Sequence, residues 1–238
     1  MVCFLTSSPI IPGSGLLNPE NSFVDELRRC FSKDSRVLFI CSDPDLYDIT
    51  DFFANVTKEI FENAGFSFGS FCILDSRNEQ RSGELIINSD LIILSGGHVP
   101  TQNRFFSRIG LRELLKDYTG IVIGISAGSM NCAEIVYAQP EREGEAVDPA
   151  YQRFLPGLGL TKTMLLPHYQ ENKDDVLDGQ RVYEDIAFPD SYGRVIYAIP
   201  DGSYLFIKNG KEELRGEAYR ISEGKMSQIS RMNDVVIL

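Results

Sequence analysis

"IVIGISAGSMNCA", residues 121–133, is the stretch on which the fold turns. Ile121 to Ile125 are apolar or glycine. A run with no polar alternation suits a strand buried on both faces, as in a parallel sheet covered by helices. Ser126 follows at once, and Ala127-Gly128-Ser129 open what reads as a helix. Gly124-Ile125-Ser126-Ala127-Gly128 also fits G-x-S-x-G, a strand-to-helix turn that lifts a serine hydroxyl clear of the sheet. Such a sharp turn crowds the positions two before and two after the serine, so only small residues fit there. It would also place the Ala127 N–H at a helix start, facing an oxyanion as it develops. The same residues suit a serine that merely caps an ordinary helix.

Working outward, strands and helices alternate. "RVLFICS" (36–42), "SFCILD" (70–75) and "LIILSGG" (91–97) read as strands, as does the opening "MVCFLTSSP". Residues 48–65 carry Phe52, Phe53, Val56, Ile60 and Phe61 at helical spacing, and Gly65 is placed to stop the helix. "SGELIINSD" (82–90) reads as a short helix and turn. Residues 101–120 read as helical with an interruption near Gly110. Further on, "TMLLPH" (163–168) and "RVIYAIP" (194–200) read as strands, and 174–188 as the helix between them. The expected fold class is therefore α/β, a three-layer α/β/α sandwich on a mainly parallel sheet. After Ser203 the runs are short and β-like, and Asn209-Gly210 is a strong hairpin signal. That tail is expected to form an antiparallel edge of the same sheet. Residues 137–160, rich in Gly, Pro and charge, read as a surface excursion, because strands resume afterwards. The whole of 1–238 is expected to be a single catalytic domain.

Composition narrows the partners. The formal net charge is -11, so nucleic acid and anionic membranes are poor partners, while a single arginine could still receive an acidic small molecule. No apolar run approaches membrane-spanning length. The N-terminus lacks a basic region ahead of its apolar stretch, so a cytoplasmic location is expected. The five cysteines, Cys3, Cys30, Cys41, Cys72 and Cys132, show no C-x-x-C spacing. They read as buried free thiols in a reducing compartment, with Cys3, Cys41, Cys72 and Cys132 in or beside apolar runs.

A nucleophilic serine needs a base, and the chain has two histidines, His98 and His168. Both follow apolar runs, at the strand ends where open α/β sheets place their sites. Gly96-Gly97 would let the backbone turn with its N–H groups exposed, a nest for an oxyanion, although it also suits a plain tight turn. If Gly97 supplies a donor, His98 stands beside the hole and His168 is left as base. Asp201, ending a strand beside Gly202, is placed to orient that base, and Asp-Gly also suits a simple turn. The order Ser126, His168, then a later carboxylate differs from that of ordinary α/β-hydrolases, in which the acid precedes a late histidine. Two histidines in separate segments give no metal-ligand spacing, and no cofactor is expected.

"LSGGH", "GISAGS", "GLGL" followed by "LLPHY", and "IPDGSYL" occur in an order that resembles the peptidase E and cyanophycinase group of serine peptidases. The resemblance covers most of the chain, from "FLTSSP" to about residue 207. It implies a fold related to class I glutamine amidotransferase domains and a triad of Ser126, His168 and Asp201. Gly97 and Ala127 match the oxyanion-hole backbones. Arg181 lies at about the distance of the arginine that binds the N-terminal aspartate of peptidase E substrates. Where the family usually has Gly-Gly-Gly-Asn this chain has Ser95-Gly96-Gly97-His98, so His98 is expected to alter the pocket or touch substrate. The implied activity is hydrolysis of short peptides, with N-terminal aspartyl dipeptides as one substrate class. Cleavage of β-aspartyl-arginine polymer and peptide binding without turnover are the alternatives. A monomer or homodimer is expected.

Overall fold

Five apolar segments form the parallel part of the main sheet. In the computed structural model, which describes residues 1–238, these are β1 (Val2–Thr6), β2 (Ser35–Ile40), β3 (Phe68–Leu74), β4 (Leu91–Leu94) and β5 (Ile121–Ile125). Between and after them run α1 (Phe23–Cys30), α2 (Tyr47–Asn63), α3 (Ser82–Ile87), α4 (Val99–Arg108), α5 (Leu111–Leu114) and α6 (Ala127–Met130). The excursion contains β6 (Ile135–Tyr137) paired with β7 (Phe154–Pro156). Next come β8 (Met164–Leu166), α7 (Tyr169–Asn172), β9 (Val176–Leu177), β10 (Gln180–Arg181), a π-helical turn over Val182–Ala187 and α8 (Phe188–Asp190). The chain ends with β11 (Val195–Ala198), β12 (Tyr204–Lys208), β13 (Lys211–Arg215), β14 (Ala218–Ser222), β15 (Lys225–Ser230) and β16 (Val235–Ile237).

The main sheet has the order β16-β13-β12-β1-β5-β4-β2-β3. From β1 to β3 every pairing is parallel, and from β1 outward through β12 and β13 to β16 every pairing is antiparallel. Alternation along the strands divides the core. Phe4, Phe39 and Ile123 face Phe23 and Leu27 of α1 and Ile60 of α2. Leu5, Leu38 and Val122 face the opposite layer, with Ile86 of α3 and Phe105 and Phe106 of α4. Period-2 alternation in strands that are buried on both faces makes the three layers.

The structure departs from the sequence reading in five places. "TMLLPH" and "RVIYAIP" do not join the main sheet: β8 and β11 pair in parallel inside a second sheet, ordered β15-β14-β11-β8. The tail is accordingly split, with β12, β13 and β16 extending the main sheet and β14 and β15 the second. The helix expected over 174–188 begins as a hairpin, β9 against β10, turning at Asp178 (φ 53°) and Gly179 (φ 79°) before the π-helical turn. Two consecutive positive φ values are what a tight hairpin requires, and Asp-Gly supplies them. In α2, Phe52 and Phe53 face outward, and the buried stripe is Thr50, Ala54, Thr57, Ile60 and Phe61. All five thiols are free; Cys72, on β3, is exposed rather than buried. Asn209-Gly210 makes the expected hairpin between β12 and β13, with φ of 54° and 74°. No helix is long and apolar enough to cross a membrane.

Candidate active site

Ser126 ends β5 with φ 51° and ψ -114°, a backbone conformation that a residue with a side chain rarely adopts. The surroundings hold it there. Its N–H donates to the carbonyls of Thr6 (3.1 Å) and Ser7 (3.0 Å). The flanking glycines are required by close approach. A Cβ on Gly124 would stand 2.8 Å from the backbone of Ser129, and one on Gly128 would overlap the Leu94 carbonyl. Backbone strain of this kind costs on the order of 1–3 kcal/mol and persists where packing over-determines it.

His168, two residues past β8, caps the start of α7 in the left-handed region, at φ 59° and ψ 33°. Its Nε2 lies 2.8 Å from Ser126 Oγ, and its Nδ1 lies 2.9 Å from Asp201 Oδ1. Asp201 sits on the turn between β11 and β12, so it bridges the two sheets. A residue of the opening "FLTSSP" completes the line. Ser7, fully buried at the end of β1, donates its hydroxyl to Asp201 Oδ1 at 2.6 Å and accepts the His168 N–H at 2.8 Å. The Asp201 N–H donates to Gln170 Oε1 at 3.0 Å.

Electrostatics follow from these contacts. Burial alone would push His168 down, but the Asp201 hydrogen bond and charge outweigh it, and the ring is held above the usual histidine value. Burial would raise Asp201, and the bonds from His168 and Ser7 outweigh it in turn, holding the carboxyl below its usual range. His168, Glu171 and Asp201 offer donor atoms within 4.8 Å of one another. A metal ion there would have to displace the His168–Asp201 hydrogen bond.

The N–H groups of Gly97 and Ala127 donate to no backbone carbonyl. Gly97 has φ 147°, and a Cβ there would run into the Ser42 side chain. Ser126, Gly97 and His168 line two cavities at once. One, about 510 Å³, is walled by Gln139, Glu141, Leu166, Asp175 and Leu177. The other, about 460 Å³, is walled by Leu46, Ile49 and Phe53 of the α2 region, with Asp43, His98 and Arg142. The excursion contributes to both, so it builds the walls of the site. The Glu141 side chain is open to cavity water but ringed by protein. That burial, with the Glu145 charge, pushes its carboxyl up to about 7.

His98 does not stand free in the second cavity. Its Nδ1 lies 2.9 Å from Thr101 Oγ1 and its Nε2 2.8 Å from Glu145 Oε1. Glu145 in turn accepts the N–H groups of Glu141 and Arg142, each at 3.0 Å. His98 therefore ties the start of α4 to the turn of the excursion that carries both cavity residues. Arg181 lines neither cavity. It is exposed on β10 and forms an ion pair with Asp185, at 2.8 Å. The arginine that does reach the site is Arg142.

Comparison with known proteins agrees with this architecture. A solved structure of a candidate peptidase E protein from Listeria monocytogenes EGD-e superposes with a TM-score of 0.61 at 19% identity, covering 96% of this chain and 98% of its own. At that identity the likeness establishes the fold. No curated protein gives a sequence match. Residues 5–215 match Peptidase family S51, a span that contains Ser126, His168 and Asp201 together with both cavities, and on that match the chain belongs to peptidase family S51.

Proposed function

We propose that this protein is a serine peptidase that cleaves short peptides with Ser126 as nucleophile, His168 as general base and Asp201 as the group that orients it. The observation that carries the reading is the unbroken line from Ser126 Oγ through His168 to Asp201, at 2.8 and 2.9 Å, beginning at a strained turn. His168 takes the hydroxyl proton as Ser126 Oγ attacks the scissile carbonyl. The N–H groups of Gly97 and Ala127 receive the oxyanion of the tetrahedral intermediate. Collapse expels the amine, which takes the proton from His168, and leaves an acyl group on Ser126. Water, deprotonated by the same histidine, then releases the acid.

N-terminal aspartyl dipeptides are the first substrates to test. The acidic side chain is assigned to Arg142, which lines the site, and not to Arg181, which is turned away. The test is kcat/KM on dipeptides and aminoacyl p-nitroanilides with N-terminal Asp, Glu, Asn, Ala, Leu and Arg, beside a Ser126→Ala control. Turnover of any member that disappears in the control is the expected result. Turnover that survives Ser126→Ala, or none at all, would sink the proposal.

A further inference from the structure

Three carboxamides lie buried behind the site, and none of them lines either cavity. Gln102 and Asn131 are fully buried, and Asn103 is nearly so. Gln102 Nε2 donates to the Ser95 carbonyl at 2.7 Å, and Asn131 Nδ2 donates to Gln102 Oε1 at 3.0 Å. Asn131 Nδ2 also reaches the Val99 carbonyl at 3.3 Å, and Asn131 Oδ1 accepts from Asn103 Nδ2 at 2.9 Å. Asn103 Nδ2 donates in addition to the Pro156 carbonyl at 2.9 Å. A backbone carbonyl stands at each amide nitrogen, which fixes the way each amide points. Buried amides destabilise unless they are bonded, and a bonded network rigidifies the segments it joins. Where these bonds end therefore shows which segments are held.

They end on the two segments that carry the Gly97 and Ala127 N–H groups. Gly96 and Gly97 make no main-chain hydrogen bond of their own. Their flanks are gripped instead, and by one residue. The Gln102 side chain holds the Ser95 carbonyl, and the Gln102 N–H holds the His98 carbonyl at 3.1 Å. Through Asn131 the same side chain reaches the end of α6, where the Asn131 N–H donates to the Ala127 carbonyl at 2.9 Å. We propose that Gln102, acting with Asn131, is a positioning residue that sets the Gly97 and Ala127 N–H groups in register with each other. This rests on the peptidase reading, and it adds the residue that keeps the oxyanion hole in shape. Such a hole works only where its donors are aimed before the charge develops. Misplacing a reacting group by about 1 Å can cost on the order of 10² in rate. Loss of the Gln102 side chain should therefore slow bond formation at Ser126 and leave ground-state binding intact.

The test is the rate at which an alkyl fluorophosphonate labels Ser126, which requires no knowledge of the peptide. Ser126 Oγ bonds to phosphorus, His168 takes the hydroxyl proton, fluoride leaves, and the phosphoryl oxygen occupies the oxyanion's place. Gln102→Met removes both side-chain bonds at nearly constant volume. It should lower the maximal labelling rate at least about tenfold and leave the half-saturating concentration unchanged. Gln102→Asn keeps the amide but shortens its reach; it should slow labelling too, and it replaces Gln102→Met if that variant does not fold. Asn103→Leu breaks the network at its far end without touching the glycine pair, so Tm should fall while labelling keeps the wild-type rate. Labelling at the wild-type rate in the folded Gln102 variant, or an equal slowing in Asn103→Leu, overturns the proposal. No labelling of the wild type would instead remove the peptidase reading. The backbone order parameter of the Gly97 amide then decides whether Gln102 holds the loop. A fall from about 0.85 to below about 0.6 in the Gln102 variant supports it, and an unchanged value overturns it.

Discussion

At the residue scale, Ser7 is the position where structure adds most to sequence. One hydroxyl spans the proposed base and the carboxylate that orients it, donating to Asp201 and accepting from the His168 N–H. Ser7→Ala should leave a buried N–H without an acceptor and a buried carboxylate short of a donor, at a cost of roughly 1–3 kcal/mol in stability. It should also lower kcat more than it raises KM, because the base is held less well; a thermal melt and steady-state kinetics read the two effects separately. The proton inventory makes a second prediction. The base must be neutral to accept the Ser126 proton, and Asp201 favours its charged form. The acid limb of kcat/KM should therefore have its midpoint above the ordinary histidine value of about 6.5. Asp201→Asn should move that midpoint down and reduce kcat by on the order of 10⁴. An unchanged midpoint would detach Asp201 from the base. For stability the sign is opposite: the contribution of the raised His168 is complete at low pH and is lost as pH rises through its folded value.

At the element scale, the β5–α6 turn is built by exclusion of volume. A Cβ at position 128 would enter the Leu94 carbonyl, and neither α6 nor β4 can yield without moving Ser126. Gly128→Ala should therefore destabilise by roughly 1–3 kcal/mol, with activity lost ahead of fold, as followed by Tm and kcat/KM. The turn was legible because its signal is local: an apolar strand, a serine and small residues on either side. The main sheet and the Asn209-Gly210 hairpin were legible for the same reason. The β9–β10 hairpin was not, since Val176, Val182, Tyr183 and Ile186 fit a helical stripe and strands of two residues are too short to show alternation. Asp178-Gly179 was the overlooked signal. Arg181 misled through its distance from His168, although Asp185 four residues on already offered it a partner. Ser7 had no signal, because its contacts lie 161 and 194 residues away. The division of the tail between two sheets was hidden too, since short β runs do not state which neighbour they will pair with.

At the scale of the molecule, the site is a joint between two sheets. The main sheet brings Ser126, Ser7 and Gly97, while the second brings His168 after β8 and Asp201 after β11. Serine and base therefore stay aligned only while the second sheet is intact. That sheet depends on residues beyond the family match, which ends at 215. β14 is the antiparallel neighbour of β11, and β15 closes the outer edge. Ala218 and Ile221 are both fully buried, and Ile221 packs in the cluster that contains Met164, Leu166, Ile196 and Ala198. Removing residues 217–238 would strip β11 of a ladder and expose the cluster beneath Asp201. Burial of Ile221 alone is worth about 1.5–3 kcal/mol, and the lost ladder adds to it. At roughly 2–4 °C per kcal/mol for a chain of this size, the truncated protein should melt at least about 10 °C lower. It should also lose turnover while every triad residue remains in its sequence. Were it to keep both Tm and kcat/KM, the second sheet would have no part in holding the base, and the two-sheet joint would be wrong.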